Sequence, residues 1–365
     1  MLGSAKKFLK TTVETVRSGT NARAAAQLAM RDAEISTLKK ELAAAKGEAG
    51  TSLATPVFFV LGQQKSGTTW LMRMLDAHPE ILCRGEGRFF GDWRQKGLKR
   101  RDTSRPPSSL HHALLDAEYL RLWVERSVWS REGDTRAHLD NITRLSVDYF
   151  LKARLHRSGK RLVGDKSPLL TLETMAEVGE IYPEARVIHI IRDGRDAAVS
   201  AAHHSWNFGN LEKKPELAAR RDAYLQSPSE TKESIFAPGQ LKKLASDWNG
   251  RVGHAVEDGS RLLGGNYAEV RYEDLVEHPE REMRRLLLFL GAGADESSVE
   301  RCVEAASFEK LTKGRERGQE DPSSFFRKGV VGDWKNVFSD HDKSIFKEEA
   351  GELLIRLGYE KDGNW

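Results

Sequence analysis

The residues best placed to do chemistry lie in a loop, Gly62-Gln63-Gln64-Lys65-Ser66-Gly67-Thr68-Thr69-Trp70, that follows the apolar run Val57–Leu61. Glycines let a backbone approach an anion, and a helix opening at the end of the loop offers free N–H groups and partial positive charge. That is the chemistry of a phosphate cradle. The spacing from Gly62 to Gly67 is that of a Walker A loop, but Thr68 stands where that loop requires lysine. The lysine here is Lys65, on the other side of the loop, where it reaches a different oxygen. A site for β- and γ-phosphates is therefore poorly supported. A second basic stretch, Phe326-Arg327-Lys328-Gly329-Val330-Val331-Gly332-Asp333-Trp334-Lys335-Asn336, joins two adjacent cations to two glycines, so it can fold charge over an anion. The 11 histidines form no HExxH motif and no Cys/His zinc spacing, so no metal site is expected.

These loops need a scaffold. Val57–Leu61 is short, apolar and ends at glycine, which predicts a buried parallel strand. Ser66–Ala77 predicts a helix with Trp70, Leu71, Met74 and Leu75 on one face and His78-Pro79 as its stop. Strands are expected at Arg161–Gly164, Arg186–Ile191 and Tyr267–Tyr272. Asp193 caps a helix running to about His203, and Glu280–Leu290 is another helix. Strands alternating with helices give an α/β fold: a P-loop-type parallel sheet flanked by helices. Arg94–His112 and Trp206–Asp247 are polar and proline-containing, and read as inserted loops. His203-His204 follows Ser200 on the predicted helix, as pocket lining or as surface.

Composition narrows the class. The chain has 365 residues with 39% apolar and 31% charged content, and its longest apolar runs fall far short of a membrane span. Lys6, Lys7 and Lys10 are not followed by a signal-peptide pattern. Two cysteines, Cys83 and Cys302, are too few for a disulfide framework, so a cytoplasmic setting is expected. Residues 1–50 hold nine basic and five acidic residues and carry the whole net charge of +4. The neutral remainder argues against nucleic acid as a partner. Residues 1–50 lack proline, and Leu28, Ile35 and Leu42 recur every seven residues, so an N-terminal helical or coiled-coil-like extension is expected. Its role would be self-association or peripheral contact with a membrane surface. The catalytic unit is then residues 51–365.

The stretch Gln64–Leu71 resembles the 5′-phosphosulfate loop of sulfotransferases that use PAPS, 3′-phosphoadenosine 5′-phosphosulfate. The resemblance implies that Lys65 contacts the bridging oxygen, that Ser66, Gly67, Thr68 and Thr69 cradle the 5′-phosphate, and that Trp70 stacks on adenine. Three further segments match in order. Val187–Ser200 resembles the 3′-phosphate signature, which implies Arg192 and Ser200 as its ligands; an arginine fork suits a phosphate. Val270–Leu275 resembles a strand end whose tyrosine, Tyr272 here, lies against the adenosine. Ser307-Phe308 resembles a segment whose phenylalanine takes the other face of adenine, although Ala306 stands where relatives often have threonine. Phe326–Asn336 matches the family's Arg-Lys-Gly loop almost letter for letter, which implies Arg327, Lys328 and the Gly329 backbone over the 3′-phosphate. The resemblance covers about residues 56–358.

Sulfuryl transfer needs a cation at the leaving oxygen and a base for the acceptor proton. Lys65 fits the first by resemblance. For the base, Gly164-Asp165-Lys166-Ser167-Pro168 lacks the histidine of small-molecule relatives. Glu86, within Arg84-Gly85-Glu86-Gly87-Arg88-Phe89-Phe90, resembles the base of carbohydrate sulfotransferases, with Asp165 the second candidate and Lys166 assisting. Phe89-Phe90 would wall the base, and a salt bridge to Arg84 or Arg88 is the alternative role for Glu86. The implied acceptor is a carbohydrate or glycolipid hydroxyl; a small phenol or alcohol, or a peptide tyrosine, is the alternative. An NTP-dependent kinase and a non-catalytic PAP-binding scaffold are the competing classes, PAP being the desulfated product.

Overall fold

A computed structural model describes residues 57–91, 109–209, 211–213, 215–226 and 234–365. The expectations for residues 1–50, and most of the insert beginning at Arg94, lie outside the described residues. In chain order the strands are β1 (Val57–Gly62), β2 (Ile81–Gly85), β3 (Leu162–Ser167), β4 (Arg186–Ile191) and β5 (Tyr267–Arg271). The helices are α1 (Thr68–Ala77), α2 (Leu110–Leu115), α3 (Glu118–Arg126), α4 (Thr135–Ser158), α5 (Thr174–Ile181), α6 (Gly194–Phe208), α7 (Pro215–Gln226) and α8 (Gln240–Asp258). After β5 come α9 (Tyr272–Glu277), α10 (Pro279–Leu290), α11 (Glu296–Ala305), α12 (Phe308–Thr312), α13 (Trp334–Val337) and α14 (Asp340–Arg356).

The five strands form one sheet in the order β2-β3-β1-β4-β5, every neighbouring pair parallel. The alternation of a strand decides which layer each residue joins. Phe58 and Val60 pack with Leu71 and Met74 of α1, Met283 and Leu286 of α10 and Cys302 of α11. Val57, Phe59 and Leu61 face the other way, onto Val147 and Leu151 of α4 and Met175 and Val178 of α5. A third cluster joins Trp206 of α6, Tyr224 of α7, Trp248 of α8, Trp334 of α13 and Phe346 of α14. The parallel α/β class expected from the sequence is the one observed.

Three expectations change. β2 was not foreseen; it is a five-residue edge strand whose last two residues, Arg84 and Gly85, are exposed. The strand expected at Arg161–Gly164 runs on to Ser167, so Asp165 and Lys166 lie in β3 rather than in a loop. Trp206–Asp247 is not a plain loop: α6 continues to Phe208, α7 fills 215–226 and α8 begins at Gln240. Pro215 is the first residue of α7, where the fixed φ of proline suits a first turn.

Candidate active site

In a parallel sheet, ligands bind outside the carboxyl ends of the strands. Here those ends carry the candidate residues. β1 leads through Gly62 into the Lys65 loop, β2 ends beside Glu86, β3 ends at Lys166-Ser167, and β4 and β5 deliver Arg192 and Tyr272. Register brings them level: Leu61 pairs with Ser167, Gly62 with Ile190, Gly85 with Lys166 and Ile191 with Arg271.

The loop is held in a shape that few residues adopt. Lys65 has φ 68° and Gly67 φ 96°, both left-handed. A Cβ on Gly67 would stand 2.6 Å from the Tyr272 ring. α1 then starts at Thr68, with Gly67 as its N-cap, and its first N–H groups have no partner within the helix. Ser66 is 1% exposed and its Oγ has no hydrogen-bond partner. Arg192 donates from Nη1 to the Lys65 carbonyl at 3.2 Å and stacks 4.3 Å above the Tyr272 ring, yet its buried Nε is also unpartnered. Burial lowers the Lys65 ammonium to about 8, and the nearby Arg192 charge adds to this. Two orphaned donors and a destabilised cation around one left-handed loop are what an oxyanion would complete, so these residues fit a phosphosulfate.

The aromatic residues gather on one side of the loop. Trp70 meets Tyr272 edge to face at 5.5 Å, and its Nε1 donates to the Ala306 carbonyl at 2.7 Å. Arg317, which no sequence motif marks, sits 5.2 Å from the Trp70 ring and 5.6 Å from that of Phe308. It also donates to the Gly329 carbonyl at 2.7 Å. Gly329 has φ 69°, and a Cβ there would stand 2.5 Å from Phe308. The basic loop therefore rests against the aromatic slot.

The cations of that loop are engaged within the protein. Arg327 pairs with Asp333 and Glu320, and Lys328 bonds Asp333 at 2.8 Å. Against the push of burial, hydrogen bonds from Lys328 and Arg327 hold the Asp333 carboxyl down at about 2. Lys65, Ser200, His203, His204, Phe325 and Arg327 line one small cavity. The Lys65 Nζ lies 4.5 Å over the Phe325 ring.

Glu86 differs from expectation in its surroundings. Its partner is Lys166, Nζ to Oε1 2.8 Å, whereas Arg84 pairs with Asp76. The Lys166 side chain is 4% exposed and that of Glu86 42%, so the carboxylate faces outward from a buried ammonium. Phe89 and Phe90 are both buried: the Phe89 ring lies against Gly87, next to Glu86, whereas Phe90 packs edge to face on Phe59 and Tyr182 in the core. Asp165 points inward, 6% exposed, and accepts the Gly87 N–H at 2.9 Å. Burial pushes its carboxyl up to about 7, against that hydrogen bond and the attraction of Lys166. The two carboxylates thus divide into an outward group and an internal brace. No helix among the described residues is long and apolar enough to cross a membrane.

Residues 56–296 match the model of a sulfotransferase family. The chain is 24% identical over 326 residues to protein-tyrosine sulfotransferase A of Caenorhabditis elegans, an alignment covering 89% of this chain and 72% of the relative. It is 26% identical over 247 residues to protein-tyrosine sulfotransferase 1 of Danio rerio, covering 64% and 53%. To sulfotransferase 1A1 of Rattus norvegicus it is 30% identical over 165 residues, covering 43% and 51%. The chain therefore spans about half the length of the latter two. Among solved structures, a mouse sulfotransferase complexed with PAP is 20% identical, covering 82% of this chain and 84% of that one, with a TM-score of 0.48. From the family match over residues 56–296, the chain belongs to the sulfotransferase family.

Proposed function

We propose that the protein moves the sulfuryl group of PAPS to an acceptor hydroxyl and releases PAP. The observation that carries this reading is the pair of buried, unpartnered donors, Ser66 Oγ and Arg192 Nε, around the Lys65 loop. Bound PAPS supplies the sulfuryl group; the chain's own residues hold, orient and deprotonate. Ser66 and the N–H groups at Gly67, Thr68 and Thr69 hold the 5′-phosphate. Lys65 offsets the charge that grows on its oxygen as the bond to sulfur breaks, and such transfers rest mainly on positioned charge. Trp70, Tyr272 and Phe308 receive the adenosine, and Arg192, Ser200, Arg327, Lys328 and Gly329 the 3′-phosphate. Glu86 takes the acceptor proton as the new O–S bond forms, its carboxylate oriented by Lys166. No metal takes part in this reading.

The segment from Glu86 to Phe90 suggests a carbohydrate or glycolipid hydroxyl as acceptor. A tyrosyl hydroxyl is the second reading, favoured by relatives named as protein-tyrosine sulfotransferases. An acceptor screen with radiolabelled PAPS, offering glycans, glycolipids, tyrosyl peptides and small phenols, separates them. Calorimetry with PAP and 5′-AMP tests the cofactor: a clear preference for PAP, kept in the presence of chelator, is expected, and equal affinities would remove the assignment. Glu86→Gln tests the base. Turnover should fall by roughly 10²–10⁴-fold with PAP affinity nearly unchanged. If Glu86→Gln keeps its turnover and Asp165→Asn loses it, the base is Asp165.

A further inference from the structure

His203 is the most buried polar side chain around the cavity that holds Ser200 and Arg327. It is 2% exposed, and neither Nδ1 nor Nε2 has a hydrogen-bond partner. Unpartnered buried polar groups are costly, so a conformation that keeps one calls for an explanation. Packing does not leave the ring free to turn away. Trp206 lies edge to face at 4.4 Å and Tyr224 at 5.2 Å, which together fix the imidazole plane. On α6, His203 follows Ser200 by three residues, so both project from one face of the helix. Both line the cavity with Lys65 and Arg327. Burial, with the charges of Arg327 and Lys328 against that of Asp333, lowers the imidazole to about 3, so it is neutral and carries one N–H. A neutral imidazole N–H, a hydroxyl and a guanidinium thus meet at one cavity, the guanidinium also held by Asp333 and Glu320.

We propose that His203 is a further ligand of the 3′-phosphate, donating its N–H to the anion that Ser200 and Arg327 also face. The inference rests on the reading of this pocket as the 3′-phosphate site. In the present conformation the cavity measures about 10 Å³, room for one water, so a phosphate needs its wall, which includes Ser324 and Phe325, to widen. The role differs from that of the arginines. A neutral donor adds selectivity for phosphate without adding charge, and its rigid mounting fixes where the phosphate sits.

The test uses the full chain and two variants. His203→Phe keeps an aromatic ring against Trp206 and Tyr224 but removes the N–H. His203→Gln keeps a donor and gives up the ring. Calorimetric Kd values for PAP and 5′-AMP, which lacks the 3′-phosphate, are measured on all three proteins, with thermal melts as the check on folding. His203→Phe should weaken PAP by roughly tenfold, about 1.4 kcal/mol, and leave 5′-AMP within about twofold. His203→Gln should recover most of the PAP affinity. A PAP to 5′-AMP ratio in His203→Phe equal to that of the unaltered protein overturns the inference while the 3′-phosphate reading survives. Equal losses in both variants also overturn it, because packing would then be the cause. If the unaltered protein does not prefer PAP, the 3′-phosphate reading itself falls and the inference with it. Should His203→Phe fail to fold, the PAP to 5′-AMP ratio of His203→Gln decides: retained, it supports the donor role; collapsed, it overturns it.

Discussion

Lys65, proposed above for the transfer chemistry, also bears on folding. Its left-handed backbone and its place beside Arg192 have a cost, since burial and a neighbouring cation both disfavour the ammonium. With the folded value at about 8 and the unfolded value near 10.4, the free protein carries this penalty in full below pH 8. The penalty is relieved as pH rises from 8 towards the unfolded value, so the free fold gains stability across that window. Anion binding has the opposite sign, because only the ammonium attracts a phosphosulfate. PAP affinity should therefore fall by about tenfold between pH 7 and pH 9. Lys65→Arg, which keeps its charge over that range, should show a flat profile. Calorimetry across pH checks this, and a flat profile in the unaltered protein would count against a depressed lysine. Neither the left-handed turn at Lys65 nor its coupling to Arg192 is legible in a one-dimensional spacing; both need the β1–β4 pairing that sets the two loops side by side.

At the scale of elements, the sequence was most legible where one local pattern ran unbroken. Val57–Leu61 and Arg186–Ile191 are short, mostly apolar runs closed by a loop, and they are strands in the structure. Ile81–Gly85 was missed because its apolar content stops after three residues and its remaining support comes from β3. The same gap hid the partner of Glu86, because Lys166 reaches it only through the Gly85–Lys166 register. The basic loop was legible as a motif but not as a balance of charges. Its guanidinium and ammonium are both held by Asp333, with Glu320 as a second carboxylate on Arg327. On the proposed reading, a 3′-phosphate competes with these carboxylates. Glu320→Gln keeps the side chain's shape and removes one competitor, leaving the buried Asp333 in place. The variant should bind PAP about two- to fivefold more tightly, because the contact to Glu320 is partly exposed and such pairs are weak. Titration at low and high salt checks it: the gain should shrink as salt rises, and a loss of affinity would mean that Glu320 shapes the loop rather than competing for it.

Across the whole chain, charge and chemistry separate by region. Residues 1–50 carry the net positive charge, while residues 51–365 are balanced with 49 basic and 49 acidic side chains. The candidate residues for binding and transfer fall between Lys65 and Gly329, at the carboxyl ends of the strands and on the loops and helices that follow them. Nothing in the proposed chemistry calls on a residue before Val57. We therefore propose that residues 1–50 are dispensable for transfer and serve association or localisation. Two measurements on a chain starting at Thr51 separate these roles. Turnover per folded molecule should stay within about twofold of the full chain, since removing residues that touch neither substrate nor transition state leaves both kcat and KM in place. Oligomeric mass by light scattering, or binding to anionic vesicles, should fall if the heptad Leu28, Ile35 and Leu42 mediates pairing or the basic residues meet a membrane surface. A shortened chain that melts cooperatively at the same temperature but does not turn over would overturn the proposed boundary, because residues before Thr51 would then complete the site.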